Sequence, residues 1–268
     1  MTLSGLLDRV IAIMRRDLLT AIRYRSGFLI TAAGSAAELA AFYFLARAVG
    51  PEFRPDGVGY FPFLLVGTGF YTFLVMGINA FLVTVQEAQQ NGTLEVLMTT
   101  ATPAPVLIFL SAISSFAGHT LQFLLYLLAG LWLFGASIHV NFLGCLVVFV
   151  LSVAIAVAFG ILAAALQLAI QKGSALVWLL GSGIWFLTGT LFPVSSLPPV
   201  LRWVAQLIPI THSLDAMRLA LLQGANLSTL APQIAWLCVF SGLMVPASLL
   251  IFSYTLRRAR LQGSLSFY

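Results

Sequence analysis

The residues that could do chemistry in this chain are few and far apart. Glu38 is the one carboxylate well inside an apolar run, and the three histidines stand at positions 119, 139 and 212. A charge there is costly, so Glu38 is either a protonated or hydrogen-bonded residue at a helix–helix seam or part of a translocation path. His119 has Gln122 one turn later, which favours a packed, hydrogen-bonded pair between helices over a path-lining role.

The patterns of common catalytic sites are missing. The single lysine, Lys172, stands in the sequence QKGS, and residues 166–171 lack the glycines of a phosphate-binding loop. The chain has no H-E-x-x-H pattern, and its histidines are too far apart in sequence to suggest a metal site. Cys145 and Cys238 both lie in apolar runs and are expected to be small buried hydrophobes. We therefore predict no catalytic residue, no metal and no cofactor on this chain.

The composition indicates which solvent surrounds these residues. The 268 residues are 60% hydrophobic and 8% charged, and the mean hydropathy is +1.03. So few charges cannot cover the surface of a soluble domain, so a bilayer is the expected solvent. The net charge of +5 does not indicate nucleic acid, because the arginines lie at the ends of apolar runs without a basic face of interleaved aromatics.

Six apolar runs are long enough to cross a bilayer, which takes about 20 residues of helix. The fold class is therefore an all-α integral membrane protein with six transmembrane helices. The predicted spans cover residues 27–49, 61–85, 105–134, 142–169, 174–192 and 232–256. Residues 4–25 carry leucines and isoleucines on one face and arginines on the other, which predicts an amphipathic helix lying on the membrane surface.

The distribution of positive charge predicts the orientation. Arginines crowd the N-terminal segment and the C-terminal tail, and Lys172 lies on the same side, whereas the other side has four arginines. Positive charge marks the cytoplasmic side, so both termini are expected in the cytoplasm. The chain itself is expected in the inner (plasma) membrane of the cell.

Residues 193–230, between the fifth and sixth spans, are predicted to form short re-entrant helices on the extracytoplasmic side. Pro193, Pro198 and Pro209 divide the segment into pieces too short to span. Asp215 and Arg218 are i, i+3 neighbours within it. They form either a surface ion pair of small value or a fixed pair that supports the re-entrant helices.

The segment QEAQQNGTLEVLMTTATP, residues 86–103, carries carboxylates at Glu87 and Glu95 and has no lysine or arginine. Gly92 should end the preceding helix. Leu94, Leu97 and Met98 then recur at helical spacing and form one apolar face. A plain connector would not need such a face, so a docking ridge for another protein is favoured over a solvated loop.

Two motifs resemble the membrane-permease subunits of type-2 ABC exporters, and the resemblance covers essentially the whole chain. The first motif comprises Glu87, Gly92, Thr93, Leu94, Glu95, Leu97 and Pro103. The second comprises Phe192, Pro193, Leu197, Pro198, Pro209, Thr211, Asp215 and Arg218. One departure is that the family often has a basic residue beside the first glutamate, where this chain has Gln86 and Ala88.

The resemblance implies a permease that pairs with a second copy of itself, or with a related permease, and binds two copies of a cytoplasmic ABC ATPase. ATP and Mg would be held by that ATPase. The resemblance further implies that residues 87–103, including Thr93 and Met98, form the coupling helix, which the ATPase binds. It also implies dimer contacts through spans one and five, where the small residues Gly34–Ala37 and Gly181–Gly183 are candidates for the seam.

The substrate class is indicated by the polar residues of the spans, which are few: Asn79, His119, Gln122 and Gln167. Such spans suit an amphipathic, lipidic or lipid-linked cargo, and a drug, a lipid and a polysaccharide all remain open. Two other functions compete. A secondary transporter or channel would require several ionisable residues within the membrane, and Glu38 alone qualifies. A lipid-modifying enzyme would require a carboxylate cluster or metal site at a membrane face.

Overall fold

The computed structural model describes residues 25–92, 104–136, 138–170 and 172–262, and these residues form helices joined by loops, without a strand. The predicted all-α class is thus confirmed for the described residues. The helices are α1 Arg25–Val49, α2 Tyr60–Gln90, α3 Ala104–Phe134, α4 Phe142–Ile170, α5 Gly173–Trp178, α6 Pro199–Gln206, α7 Pro209–Leu222 and α8 Leu227–Gln262.

Three helices of the described chain are long and apolar enough to cross a membrane: Tyr60–Gln90, Phe142–Ile170 and Leu227–Ala259. The stretch Gly118–Phe134 of α3 is also apolar. This agrees with a multi-pass membrane protein, while the count of six spans stays a prediction. Residues 4–24 of the predicted surface helix lie outside the described residues.

The bundle is built around α2 and α4. Helix α4 packs against both α2 and α8, and α2 packs against α3. Rings of Phe70, Phe73, Phe123 and Phe149 stack at the centre, with centroids 5.2 Å apart for Phe73 and Phe149. The middle of α2 is enclosed by protein, whereas most of the apolar surface of α8 is exposed. An apolar face of that size suits contact with lipid or with another membrane helix.

The fifth predicted span, 174–192, is helical only as far as Gly183, and its crossing of the membrane stays a prediction. Helix α5 ends at Trp178, a π-helical turn covers Leu179–Gly183, and turns follow as far as residue 192. The N–H of Ile184 reaches back to the carbonyl of Leu179 at 3.0 Å. Glycines at 181, 183 and 189 weaken the helix, and Gly189 has φ 77°. The Tyr71 hydroxyl donates a hydrogen bond to the Leu180 carbonyl and so ties the π-helical turn to α2.

The loops gather at two ends of the bundle. We call residues 50–59, 135–136, 138–141 and 189–226 the Arg218 end, and residues 87–92, 172–173 and 257–262 the Lys172 end. At the Arg218 end, the N–H groups of His139 and Asn141 donate to the carbonyls of Leu221 and Ala220 at 3.1 and 3.0 Å. Helix α7 is thereby fastened to the loop between α3 and α4.

The prolines set where the short helices begin. Pro193 precedes a 3-10 turn over Val194–Ser196, Pro198 precedes α6, and Pro209 is the first residue of α7. Proline suits the start of a helix, because the amide hydrogen that it lacks would have no partner there. Two short helices therefore lie where the sequence predicts pieces too short to span, and their re-entry into the membrane stays a prediction.

Candidate functional site

A small polar pocket lies between α1, α2 and α3, and we call it the intramembrane pocket. Its cavity volume is about 40 Å³. It brings together Glu38, His119 and Gln122, which lie up to 84 positions apart in the chain. The other lining residues are Ser35, Gly69, Thr72, Phe73, Met76, Phe123 and Tyr126.

Helical spacing explains why these side chains converge. On α3, His119, Gln122 and Tyr126 stand at i, i+3 and i+7, so they share one face. Gln122 lies within hydrogen-bonding reach of the His119 ring, as the sequence suggested, but both residues are on one helix and do not join two. On α1, Ser35 and Glu38 also share a face. Each helix thus contributes one polar stripe to the pocket.

The back wall of the pocket is fixed by a tyrosine. The Thr68 hydroxyl donates to the Leu64 carbonyl at 2.7 Å and lies 3.2 Å from the Tyr126 hydroxyl. Because Thr68 has one hydroxyl hydrogen, already donated, Tyr126 must donate to Thr68. A Cβ on Gly69 would lie 2.8 Å from the Tyr126 ring, so only glycine lets this ring pack so closely on α2.

The rim of the pocket is open. Glu38, Thr72 and Gln122 are exposed on the surface of the chain, whereas Phe123 and Tyr126 are buried behind them. A volume of about 40 Å³ holds about two or three waters or one small polar group. The carboxylate and imidazole can accept hydrogen bonds from such a group or exchange a proton with it. A polar head could therefore enter here from an apolar surrounding.

The other predicted path or seam residues do not line this pocket. Asn79 lies one turn beyond Met76 on α2 and is half-buried. Gly181 faces Val75, with 3.3 Å between its ideal Cβ position and Cγ1, and Gly183 is exposed in the π-helical turn. Gly34, Ala36 and Ala37 are exposed on α1, and Gly34 has open space where a Cβ would point.

The predicted Asp215–Arg218 ion pair is absent from the described part of the chain. Arg218 is only 4% exposed, and its guanidinium donates to the carbonyls of Phe63, Gly189 and Thr190 at 3.3, 2.8 and 2.9 Å. Its Cζ also lies 3.5 Å from the centroid of the Phe63 ring, a cation–π contact. Arg218 therefore supports the Arg218 end through backbone carbonyls.

A glycine makes room for this arginine. A Cβ at Gly67 would overlap the guanidinium of Arg218 and would lie 2.7 Å from the Thr190 carbonyl oxygen. Burial lowers the pKa of Arg218 to about 10, so it stays charged at pH 7. Burial also favours the neutral form of Asp215 and so raises its pKa to about 6, although the positive charge of Arg218 opposes that rise. The two groups thus act on each other through their charges without forming a salt bridge.

The Lys172 end holds a cluster of three glutamines, which we call the glutamine cluster. Gln86 donates to the Oε1 of Gln167 at 3.4 Å, and Gln167 donates to the Oε1 of Gln89 at 3.3 Å. The N–H of Gly173 also donates to the Oε1 of Gln167 at 3.1 Å. Gln89 and Gln167 are each 2% exposed. The cluster joins the last turn of α2 to α4 and to the start of α5.

Sequence reasoning missed the role of this cluster. Gln86 and Gln89 stand at i, i+3 in QEAQQ, and that spacing on a helix otherwise apolar is the signal that could have found them. Of the predicted coupling residues, Glu87 is exposed on α2 and Gly92 has φ 63°, which ends the helix as predicted. Thr93, Leu94, Glu95, Leu97 and Met98 lie outside the described residues.

No group of three or more histidine, cysteine, aspartate or glutamate side chains that could hold a metal ion occurs among the residues that the structure describes. Comparison with curated proteins finds no matching relative. The family model for the ABC-2 type transporter matches residues 8–222, which include the intramembrane pocket, Arg218 and the glutamine cluster. The chain therefore belongs to the ABC-2 type transporter family and is a membrane permease.

Proposed function

We propose that this chain is the transmembrane subunit of an ATP-driven exporter, which moves an amphipathic, lipidic or lipid-linked substrate out of the cell. The observation that carries the proposal is the intramembrane pocket, where Glu38, His119 and Gln122 meet behind an open rim. The helices around it are apolar. A drug, lipid or lipid-linked polysaccharide can place a polar head in this pocket while its apolar part stays in lipid.

The energy would come from a cytoplasmic ATPase, because ABC-2 permeases generally work with such a subunit. Two ATPase copies, holding ATP and Mg, would grip the coupling segment 87–103. Helix α2 supports this arrangement, since it leads from Glu87 and Gln89 to Thr72 in the pocket and to Phe63 beside Arg218. A displacement at residue 90 therefore acts on a helix that lines the pocket.

A complete transporter would contain two permeases, either two copies of this chain or this chain with a related one. The candidate seam residues Gly34, Ala36 and Ala37 are exposed and small. Small residues let membrane helices approach closely. The Lys172 end carries Arg257 and Arg258. By the positive-inside rule, we assign this end to the cytoplasmic side of the inner (plasma) membrane.

A secondary transporter is the second candidate, and one observation favours it. Glu38 and His119 line the same pocket, and a carboxylate beside an imidazole within a membrane can relay protons. The two functions differ in their energy source. Export by the first requires ATP and stops with vanadate, whereas export by the second requires a proton gradient and stops with a protonophore.

The first test is purification of the tagged chain from its own cells in mild detergent, followed by mass spectrometry. We expect a soluble ATPase in about equal amount, and we expect the double substitution L94D/L97D to lose it. The control is E52Q, which removes a charge at the Arg218 end and should retain the ATPase. A wild-type chain that purifies alone, or a double variant that keeps its ATPase, contradicts the proposal.

The second test concerns the pocket. In proteoliposomes that contain the chain and its ATPase, E38Q should lower export of a fluorescent short-chain lipid or hydrophobic dye by about tenfold, since the substitution removes the carboxylate from the rim. The variant should still assemble as a dimer. Unchanged export of every probe that the wild type moves would instead assign Glu38 to helix packing.

A further inference from the structure

A second and larger cavity lies at the Arg218 end, and we call it the outer cavity. Its volume is about 300 Å³, at the lower limit of ligand-binding pockets. It shares no residue with the intramembrane pocket. Its polar lining residues are Asp56, Ser195, Asp215, Arg218, Gln223 and Gln233, and its apolar ones include Val58, Phe63 and Leu222.

The side chains that line the outer cavity have a net negative charge. Asp56 and Asp215 contribute two carboxylates, and Arg218 contributes one guanidinium. That guanidinium is buried and already directs three N–H groups at backbone carbonyls. Of the charged groups nearby, Arg202 is bound to the carbonyls of Ser195 and Leu197. One carboxylate charge is therefore left without a balancing cation in the lining.

The lining also holds acceptors without partners. Among the described residues, the Asp215 carboxylate makes no hydrogen bond and no salt bridge, although the chain encloses it enough to raise its pKa. The Oε1 of Gln233 is fully buried and has no hydrogen-bond partner within the described ranges. Buried polar groups in folded proteins are normally satisfied, so each such acceptor requires an explanation. For the Asp215 carboxylate, a ligand rich in N–H donors would supply that explanation.

Asp56, which lines this cavity, has a strained backbone conformation. Asp56 has φ 52° and ψ 28°, the one positive φ outside glycine in the described chain. That conformation costs about 1 kcal/mol for a residue with a side chain. The side chain of Gln223, the residue that follows α7, holds this conformation by donating to the Asp56 carbonyl at 3.0 Å. Strain of this kind concentrates at binding sites, where the surrounding structure maintains it.

We propose that the outer cavity binds an organic ammonium group between Asp56 and Asp215. A metal ion fits less well, since no group of three or more candidate metal ligands occurs in the described residues. An ammonium group offers several N–H donors, and the two carboxylates can accept hydrogen bonds from them. The ligand chemistry stands without the proposed transport function, while any role of the site in releasing cargo rests on it.

The experiment is calorimetric titration of the full-length chain, with any subunit that co-purifies, in detergent at pH 7.5. The probe is n-butylammonium chloride, and the comparison compounds are n-butanol, which lacks the charge, and calcium chloride. We expect butylammonium to bind and both comparison compounds to fail. D215N should weaken butylammonium binding by about tenfold and D56N severalfold. E52Q, which removes an equal charge from the same loop outside the cavity lining, should leave the affinity unchanged.

Several results would overturn the proposal: no butylammonium binding by the wild type, equal binding of butanol, binding of calcium in place of the amine, or equal weakening by E52Q and D215N. Both aspartate variants keep the side-chain shape, and their unfolding temperatures report whether they fold. Nanodiscs then identify the source of the amine. Competition by phosphatidylethanolamine, absent with phosphatidylcholine, assigns the site to a lipid headgroup, whereas equal butylammonium binding in both assigns it to a soluble amine.

Discussion

The two ends of the bundle are held by opposite kinds of polar contact. At the Arg218 end, one buried cation donates to three backbone carbonyls, two of them at 2.8 and 2.9 Å. At the Lys172 end, neutral amides meet at 3.3 and 3.4 Å. A buried charge cannot leave its acceptors without a large cost, whereas amides can exchange partners at small cost. The first end suits a fixed anchor and the second suits a joint that rearranges.

This difference between the two ends fits the proposed position of the ATPase. The glutamine cluster adjoins residues 87–92, where the ATPase is proposed to bind, so the joint lies where movement would enter. Arg218 holds Phe63 at the far end of the same helix. A helix held firmly at one end and loosely at the other can tilt about the fixed end.

The largest effect is expected from R218M, which removes the donor to three backbone carbonyls, two of which, those of Gly189 and Thr190, lie outside any helix. Removing one partner of a buried charged network typically costs about 3–5 kcal/mol of unfolding free energy. We expect thermal unfolding in detergent at a much lower temperature, or failure to accumulate. R202M is the control, because Arg202 lies at the same end but is exposed. Equal small losses for both variants would show that Arg218 is no anchor.

The next effect is expected from Q167L, which removes the residue that all three bonds of the glutamine cluster share. Buried Gln89 and the Gly173 N–H then lose their partners, at about 1–3 kcal/mol. Coupling should suffer more than stability, so substrate-stimulated ATP hydrolysis in proteoliposomes should fall severalfold while the complex still assembles.

The control for Q167L is S152A on the same helix. The Ser152 hydroxyl is buried and has no partner in the described part of the chain, so its removal should be neutral or mildly stabilising. If Q167L retains full coupling, the glutamine cluster is not the joint. If S152A lowers coupling equally, the effect belongs to α4 in general.

A third prediction concerns pH at the Arg218 end. The pKa of Asp215 is about 6 in the fold and about 3.9 in an unfolded chain. The folded state therefore binds the proton more tightly, and this group lowers stability as pH rises from about 4 through 6. We expect D215N to stabilise the protein by about 1–2 kcal/mol at pH 7 and to have little effect near pH 4.

Unfolding temperatures of the wild type and D215N between pH 4.5 and 7.5 test that sign. Arg218, Asp56 and His212 act on the same carboxyl group, so E52Q, outside the cavity lining, serves as the control and should follow the wild-type profile. A D215N variant that is less stable than the wild type at pH 7 would show that the charged carboxylate helps to hold Arg218.

Much of this architecture could be predicted because it follows from local chemistry. Apolar length gives the long helices, proline gives the starts of α6 and α7, and glycine gives the end of α2. The end of the helix inside the fifth predicted span could not be predicted, because hydropathy over 174–192 is uniformly high and does not register that Gly181, Gly183 and Gly189 weaken the helix. Length alone could not reveal the π-helical turn.

The sites depended on contacts that helical spacing cannot supply. Glu38 and His119 meet only because α1 and α3 pack beside the same face of α2. The i, i+3 rule paired Asp215 with Arg218, but it considers one helix alone. In the fold, the turn at Gly189 and Thr190 presents carbonyls that no helix satisfies, and the long arginine side chain reaches them instead.

The smallest effect is expected from Q86L. Gln86 is half-buried and donates one long bond of 3.4 Å, so its loss should cost about 0.5 kcal/mol. Gln167 keeps its bonds to Gln89 and Gly173, and hydrogen exchange at the Gly173 amide should therefore stay as slow as in the wild type. If Q86L lowered the unfolding free energy as much as R218M, the amide hydrogen bonds of the glutamine cluster would be as strong as the charged contacts of Arg218. In that case both ends would be anchors, and α2 could move only as a whole.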